Sequence, residues 1–284
     1  MAIGFIGLGN LGKAIANRLI SEGEELIIWN RTRKKLNGLK AAWADTAEAV
    51  VNQAPITILC LSDSNAVKSV LGNGTGILKA DLKGKIIIDI TTNHFDAAMS
   101  FHRLFFEKGG SYLESPVLGS VVPASQGNLT ILVSGDRRTY DSVHPLLEKI
   151  GKKIFYLEKP SLATKMKLVN NFVLGSFMAT LAEALVLGEE IGQRKETVID
   201  ILSAGAGNSS ILQAKREKLL TEDYSPHFSM AMIHKDLQYL EDLAKSENRP
   251  LFNAIIAREL YAKSIPAGME NLDFSAIYKI LKEM

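Results

Sequence analysis

Through the first half of the chain, short, largely apolar runs without polar alternation alternate with segments whose apolar residues recur at helical spacing. The strand-like runs are Ala2–Ile6, Leu26–Trp29, Ile56–Cys60, Ile86–Ile88, Tyr112–Glu114, Thr130–Val133 and Ile154–Tyr156. Helical spacing is found over Asn10–Ser21, Thr46–Val51, Ala66–Leu71, Phe95–Glu107 and Arg138–Ile150. Strands without polar alternation suit a parallel sheet covered by helices on both faces, which predicts a doubly wound α/β domain. From Pro160 onward the strand pattern stops. Helices are predicted there over Ala163–Ile191, Glu196–Ala204, Ser209–Leu219, Met230–Ser246, Leu251–Lys263 and Phe274–Lys282. The expected organisation is an α/β domain over residues 1–160 followed by an all-α domain over residues 161–284.

The first helix of the second part is much longer than average and carries no charge from Phe172 to Ala182. A helix that is apolar all round is expected to be buried all round. Glu183, Glu189 and Glu190 interrupt the run, which makes it short for a bilayer span. Burial between the domains and against a second copy of the chain is expected instead, with Gly175, Ser176 and Ala179 allowing close approach, so a homodimer or homotetramer follows.

The first strand runs directly into Gly7-Leu8-Gly9-Asn10-Leu11-Gly12, which opens the first helix. This spacing reads as a Rossmann-type dinucleotide site. Gly7 permits the tight turn, Gly9 lacks the Cβ that would meet a pyrophosphate, and Gly12 lets helix and strand pack closely. The free N–H groups at Asn10 and Leu11, with the positive end of the helix dipole, then face the phosphates. At the end of the second strand an NAD site has an acid for the ribose hydroxyls. This chain has Asn30-Arg31-Thr32, then Arg33, Lys34 and Lys35. A guanidinium at Arg31 and the Thr32 hydroxyl can take a 2′-phosphate, so NADP(H) is favoured over NAD(H). The plainer alternative is a solvated charged turn, although cations at a helix N-terminus oppose its dipole.

Composition narrows the rest. With 284 residues, 46% of them hydrophobic, the chain can bury full cores. A formal net charge of +2 gives no electrostatic case for nucleic acid or an anionic membrane. The lone Cys60 cannot form an intramolecular disulfide, and its apolar neighbours suit an inert buried thiol. No Cys/His spacing suggests a metal. Without a basic stretch ahead of the first strand, no signal peptide is read, and a cytoplasmic location is the expectation.

Lys167 and Asn171 are four residues apart, one helical turn on one face, whereas Lys165 is rotated away. A partly desolvated lysine held by an amide could donate a proton to a carbonyl oxygen as it receives hydride. By spacing alone a surface lysine beside an ordinary helix amide is the simpler reading.

Several motifs in order lift this pair above that reading. Gly7–Gly12, Trp29-Asn30-Arg31-Thr32, Leu61-Ser62-Asp63, Ile88-Asp89-Ile90-Thr91-Thr92, Ser115–Ser120 with Pro123-Ala124 and Gly127–Leu129, Lys165–Asn171, Phe228 and Lys235-Asp236 together resemble the β-hydroxyacid dehydrogenase family, from Ile3 to about Lys282. The wording of the Asn-Arg-Thr and Lys-Met-Lys-Leu segments is nearest to its NADPH-dependent glyoxylate and succinic semialdehyde reductases. The resemblance implies Lys167 and Asn171 as the catalytic pair. It implies Leu61, Ser62, Thr92 and Lys235 beside the cofactor, Leu118, Gly119 and Ser120 as the substrate loop, and Phe228 and Asp236 on the substrate side. The site would lie in a cleft between the domains and reduce a small aldehyde acid. His94 and His234 read as cap and surface residues.

Two departures bear on substrate. Leu118 stands where the family has a serine that helps hold the substrate carboxylate, which leaves the backbone N–H groups of the turn and the Ser120 hydroxyl for that role. Ser161 and Ala163 stand where the family has glycines, so that loop should be stiffer or differently shaped. These positions keep two other readings open: a cofactor-binding scaffold or sensor without turnover, and a reductase of an apolar ketone or imine.

Overall fold

The computed structural model describes residues 2–72 and 74–284. By packing, the chain forms two compact units, Met1–Lys167 and Leu168–Met284.

The first unit is built on a six-stranded parallel sheet of order β3-β2-β1-β4-β5-β6. Its strands are β1 (Ile3–Ile6), β2 (Leu26–Trp29), β3 (Ala42–Trp43), β4 (Ile56–Leu59), β5 (Ile86–Asp89) and β6 (Ser111–Glu114). Side chains alternate between faces along a strand. Ile3, Phe5, Ile28, Ile58 and Ile88 therefore feed one core with α1 (Asn10–Ser21), while Ile6, Ile27, Leu59 and Ile87 feed the other with α2 (Ala47–Gln53), α3 (Ser64–Gly72) and α4 (Phe95–Glu107). That two-sided demand is why the strands carry no polar alternation. The fold is Rossmann-type, with its strand order reversing beside β1.

Two expected strands do not join this sheet. Leu129–Val133 (β8) and Gly151–Tyr156 (β9) pair parallel with each other, and β8 pairs antiparallel with β7 (Val117–Leu118), forming a separate three-stranded sheet. A break at Ser115-Pro116 separates β7 from β6 and starts the second sheet. Short α5 (Val121–Ser125) follows β7, and α6 (Arg137–Glu148) links β8 to β9. Within the charged run after β2, Arg33–Leu36 is a single 3₁₀ turn. Cys60 lies just beyond β4 and is half-buried.

The second unit is helical. Helix α7 (Leu162–Glu190) starts in the first unit and supplies most of its length to the second, followed by α8 (Lys195–Ala204), α9 (Ser210–Thr221), α10 (Met230–Ser246), α11 (Phe252–Ala262) and α12 (Ile277–Lys282). Within the second unit, one face of α7 is packed at Gly175 on Ile233 and Leu237 of α10, and the Tyr261 hydroxyl donates to the Gly175 carbonyl at 3.2 Å. Burial on every side is not met within the single chain. Val169, Val173, Phe177 and Leu187 are exposed, an apolar stripe at helical spacing. By length and composition α7 does reach what a membrane span requires, contrary to expectation, although its packed face is that of a core helix.

Candidate active site

The glycine loop follows from close packing. Gly7 has φ +102°, and a Cβ there or on Gly12 would fall on a backbone carbonyl oxygen, that of Cys60 or Gly7 respectively. Around Gly9 an added Cβ would meet nothing within 4 Å. Two of the glycines are therefore required by the chain itself, and the third borders open space. Helix α1 begins there with no side-chain cap and no acid in its first turn. The exposed, uncapped N-terminus, with Asn10 exposed and Leu11 half-buried, fits a phosphate-bearing ligand.

Asn30 links two loops. Its Oδ1 accepts from the Leu8 N–H at 2.9 Å and its Nδ2 donates to the Thr32 carbonyl at 3.0 Å, tying the glycine loop to the turn after β2. Arg31 and Thr32 are exposed on that turn. The neighbouring Arg33 pairs with Asp45 and lies over the Trp43 ring.

A buried carboxylate organises the next loops. Asp89, at the carboxyl end of β5, accepts from the Thr91 N–H at 2.9 Å, Asn93 Nδ2 at 2.9 Å and the Tyr112 hydroxyl at 2.7 Å. Thr91 Oγ1 in turn accepts from the Leu61 N–H at 3.0 Å. The segments carrying Leu61-Ser62 and Thr92 are thereby fixed to each other. Burial pushes the Asp89 carboxyl above its usual range, against the pull of these hydrogen bonds, and pushes the Tyr112 hydroxyl up as well. His94 caps α4 through Nδ1, which accepts from the Asp96 N–H at 3.2 Å.

The start of α7 is clamped by Glu114, the last residue of β6. Its carboxylate accepts from the Ser161 N–H and, at 2.9 Å, from the Thr164 N–H, taking the role of a helix cap. Ser161 has φ +74°, a left-handed conformation in which glycine is the unstrained residue, and its hydroxyl donates to the Phe95 carbonyl at 3.1 Å. One turn on, Lys167 is 8% exposed and its Nζ donates to the Val117 carbonyl at 2.8 Å. The Leu118-Gly119-Ser120 turn follows that carbonyl directly, with Gly119 at φ +112° and Leu118 half-buried. Lys165 is directed to the ring of Phe95.

In the second unit, Asn171 is buried and donates through Nδ2 to Asp236 Oδ2 at 2.6 Å. Its Oδ1 accepts from Asn170 at 3.1 Å. Asp236 also pairs with Lys235 at 3.0 Å, so Asn171, Lys235 and Asp236 form one group on α7 and α10. Phe228, half-buried ahead of α10, contacts Phe274 edge to face at 5.7 Å. Sequence reading did not single out Asp89 as an anchor, nor Glu114. The available signal was an acid closing an otherwise apolar strand.

Residues 2–157 match the family model for the NAD binding domain of 6-phosphogluconate dehydrogenase, and residues 162–281 match that for the NAD-binding region of NADP-dependent 3-hydroxyisobutyrate dehydrogenase. Glyoxylate/succinic semialdehyde reductase 1 of Arabidopsis thaliana is 33% identical over 285 residues, covering 99% of each chain. The cytokine-like nuclear factor N-PAC of Mus musculus is 35% identical over 277 residues, covering 98% of this chain and 50% of its own length. The chain thus spans about half the length of the N-PAC relatives it matches. Among solved structures, Psf3 in complex with NADP⁺ and 2-OPP superposes with a TM-score of 0.91 at 26% identity, covering 98% of this chain and 99% of that one. With both halves matched in order on this fold, the chain belongs to the NAD(P)-dependent β-hydroxyacid dehydrogenase family.

Proposed function

We propose that this protein is an NADPH-dependent reductase that converts a small aldehyde acid, of the semialdehyde or glyoxylate type, to the hydroxy acid, with Lys167 as general acid. The observation that carries the reading is the buried Lys167, held 2.8 Å from the Val117 carbonyl beside the turn of Leu118, Gly119 and Ser120. A buried ammonium is costly, and proton donation to a substrate oxygen gives it a use. In this reading Gly7, Gly9, Asn10, Leu11 and Gly12 hold the pyrophosphate, Asn30, Arg31 and Thr32 the 2′-phosphate end, and Leu61, Ser62, Thr92 and Lys235 the nicotinamide end. When bound, NADPH supplies the hydride. As the carbonyl carbon gains hydride, the π electron pair moves to oxygen and takes a proton from Lys167 Nζ. The product leaves as an alcohol, and Lys167 regains its proton from solvent. Asn171 steadies Lys167 from one turn along α7, and Phe228 and Asp236 shape the substrate side.

The exposed stripe of α7 is covered in this reading by a second copy, giving a homodimer or homotetramer. A cytoplasmic setting, with no nucleic-acid or membrane partner, completes it.

The test is a screen of NADPH oxidation with glyoxylate, succinic semialdehyde and cyclic imines, joined to Lys167→Ala. Loss of kcat by about 10²- to 10⁴-fold with NADPH affinity kept is expected for a general acid. Leu118→Ser should raise kcat/KM for the aldehyde acids, and a gain confined to imines in the wild type would move the substrate class. The similarity to N-PAC, a cytokine-like nuclear factor, is what favours the scaffold reading. NADPH binding without oxidation by any of these compounds, unchanged by Lys167→Ala, would establish it.

A further inference from the structure

The second unit contains a buried ion pair that the reaction scheme above does not use. Lys215, on α9, and Asp273, in the segment before α12, are 7% and 0% exposed, with Nζ 2.8 Å from Oδ1 and 2.9 Å from Oδ2. Surface charges at these positions would need no explanation. Fully desolvated ones do, because a buried ion pair gains little stability over an apolar pair of the same size.

The remaining contacts of Asp273 give the explanation. Its Oδ2 accepts from the His227 N–H at 3.0 Å and, more weakly, from the Phe228 N–H at 3.4 Å. Its Oδ1 accepts from the Ser275 N–H at 3.2 Å and the Ser275 hydroxyl at 2.8 Å. The Phe228 carbonyl accepts from the Phe274 N–H at 2.8 Å, so both peptide groups of Phe228 are held by the same short segment. Phe274 is buried, lies edge to face against the Phe228 ring, and has Lys215 Nζ 4.9 Å from its own ring centre. Lys218, on the same face of α9, donates to the carbonyls of Asp223 at 3.1 Å and Ser225 at 2.7 Å. The loop from 223 to 228 therefore rests on two lysines and one carboxylate.

The staple extends to α10. Ser229 pairs with Asp273 in an antiparallel bridge and caps α10, accepting from the Met232 N–H at 3.3 Å. The Met230 and Ala231 N–H groups donate to the carbonyls of Leu272 and Glu270 at 2.9 and 2.8 Å. Ser229, Met230 and Ala231, at the start of the helix that carries Lys235 and Asp236, are thus tied to this segment. Burial lowers the Lys215 ammonium below its usual range, with Asp273 only partly offsetting it. Burial alone would raise the Asp273 carboxyl, but Lys215 and the hydrogen bonds hold it below its usual range.

We infer that Lys215 and Asp273 are positioning residues for the reductase, acting through the backbone of His227 and Phe228 to hold the Phe228 ring at the substrate. This rests on the reading of Phe228 as a substrate-side residue, and the experiment separates the two. The variant is Lys215→Met with Asp273→Asn in the full chain, which removes both charges and leaves none stranded. Two measurements are made: amide hydrogen exchange at His227, Phe228 and Ser229, and steady-state kinetics with and without Phe228→Ala.

The staple predicts exchange at those amides faster by at least tenfold, with far-UV circular dichroism unchanged. It also predicts a KM for the aldehyde acid raised about tenfold with kcat altered less, and little further loss on adding Phe228→Ala, because the two changes act through one group. Unchanged exchange overturns the staple whatever the kinetics. Faster exchange with a loss that simply multiplies with that of Phe228→Ala overturns its action through Phe228. If Phe228→Ala alone leaves the wild-type kinetics untouched, the assignment of Phe228 falls, and exchange still judges the staple. Lys215→Gln, which keeps one donor to the carboxylate, gives the same readouts in the same directions if the double variant does not fold.

Discussion

Gly9→Ala separates what the fold needs from what a ligand needs. Gly9 has φ −68° and ψ −173°, which alanine adopts without strain, and a Cβ there meets nothing within 4 Å. Two small effects on the unliganded protein oppose each other. Alanine is a poorer N-cap than glycine by up to ~1 kcal/mol. It also restricts the unfolded chain, which returns about 0.4–1 kcal/mol. The unliganded stability should therefore stay within about 1 kcal/mol of wild type. A pyrophosphate seated against the loop would meet the new methyl. Displacing it from one charge-assisted N–H contact, worth about 1.5–3 kcal/mol, weakens binding roughly 10- to 150-fold. Titration calorimetry gives the affinity, and thermal melts with and without NADPH give both stabilities, since ligand at 100 times Kd stabilises by about 2.7 kcal/mol. Gly12→Ala is the control. Its Cβ would fall on the Gly7 carbonyl oxygen, so it should destabilise the unliganded protein by ~3 kcal/mol. Wild-type NADPH affinity in Gly9→Ala would refute the placement of the pyrophosphate at this loop.

Arg31→Ala should reduce the preference for NADPH over NADH by at least tenfold, about 1.4 kcal/mol, measured as the ratio of the two dissociation constants, and an unchanged ratio would remove Arg31 from the 2′-phosphate. Phe177→Glu should convert the proposed homo-oligomer to monomers at micromolar concentration in light scattering, and because Phe177 is half exposed in the single chain, circular dichroism should show the fold intact. Cys60 has its thiol pKa raised from 9.0 to about 12, first by burial and then by Asp89. It should resist iodoacetamide at pH 9 until the protein is denatured. Because the folded value is the higher one, its contribution to stability is complete below pH 9 and is lost as pH rises toward about 12.

The legible parts of the molecule are those where one residue type answers one local demand. Gly7 and Gly12 are read correctly because no Cβ fits beside the carbonyls of Cys60 and Gly7. Helices Phe95–Glu107 and Met230–Ser246 match their expected bounds because caps at His94 and Ser229 coincide with the start of the apolar period. The second sheet was not separable from the first. A strand of two residues, Val117–Leu118, carries no period, and nothing local distinguishes which sheet a run such as Leu129–Val133 joins. Backbone partners were equally hidden. The Val117 carbonyl that receives Lys167 could have belonged to any residue type, and Lys215 and Asp273 are spaced like ordinary surface charges until the fold buries them.

The clamp of Glu114 on the first turn of α7 makes a loose start to that helix impossible while the sheet stands. Strand β6 holds the Ser161 and Thr164 N–H groups, the Phe95 carbonyl at the head of α4 holds the Ser161 hydroxyl, and Ser134, just after β8, accepts from the Ala163 N–H at 2.9 Å. Three structural elements thus converge on Ser161, Ala163 and Thr164, all of them ahead of Lys167. Heating should not melt this turn first, because Glu114, Phe95 and Ser134 are all buried. Inactivation and global unfolding should then share one midpoint, and the lysine is retired only when the sheet itself dissolves.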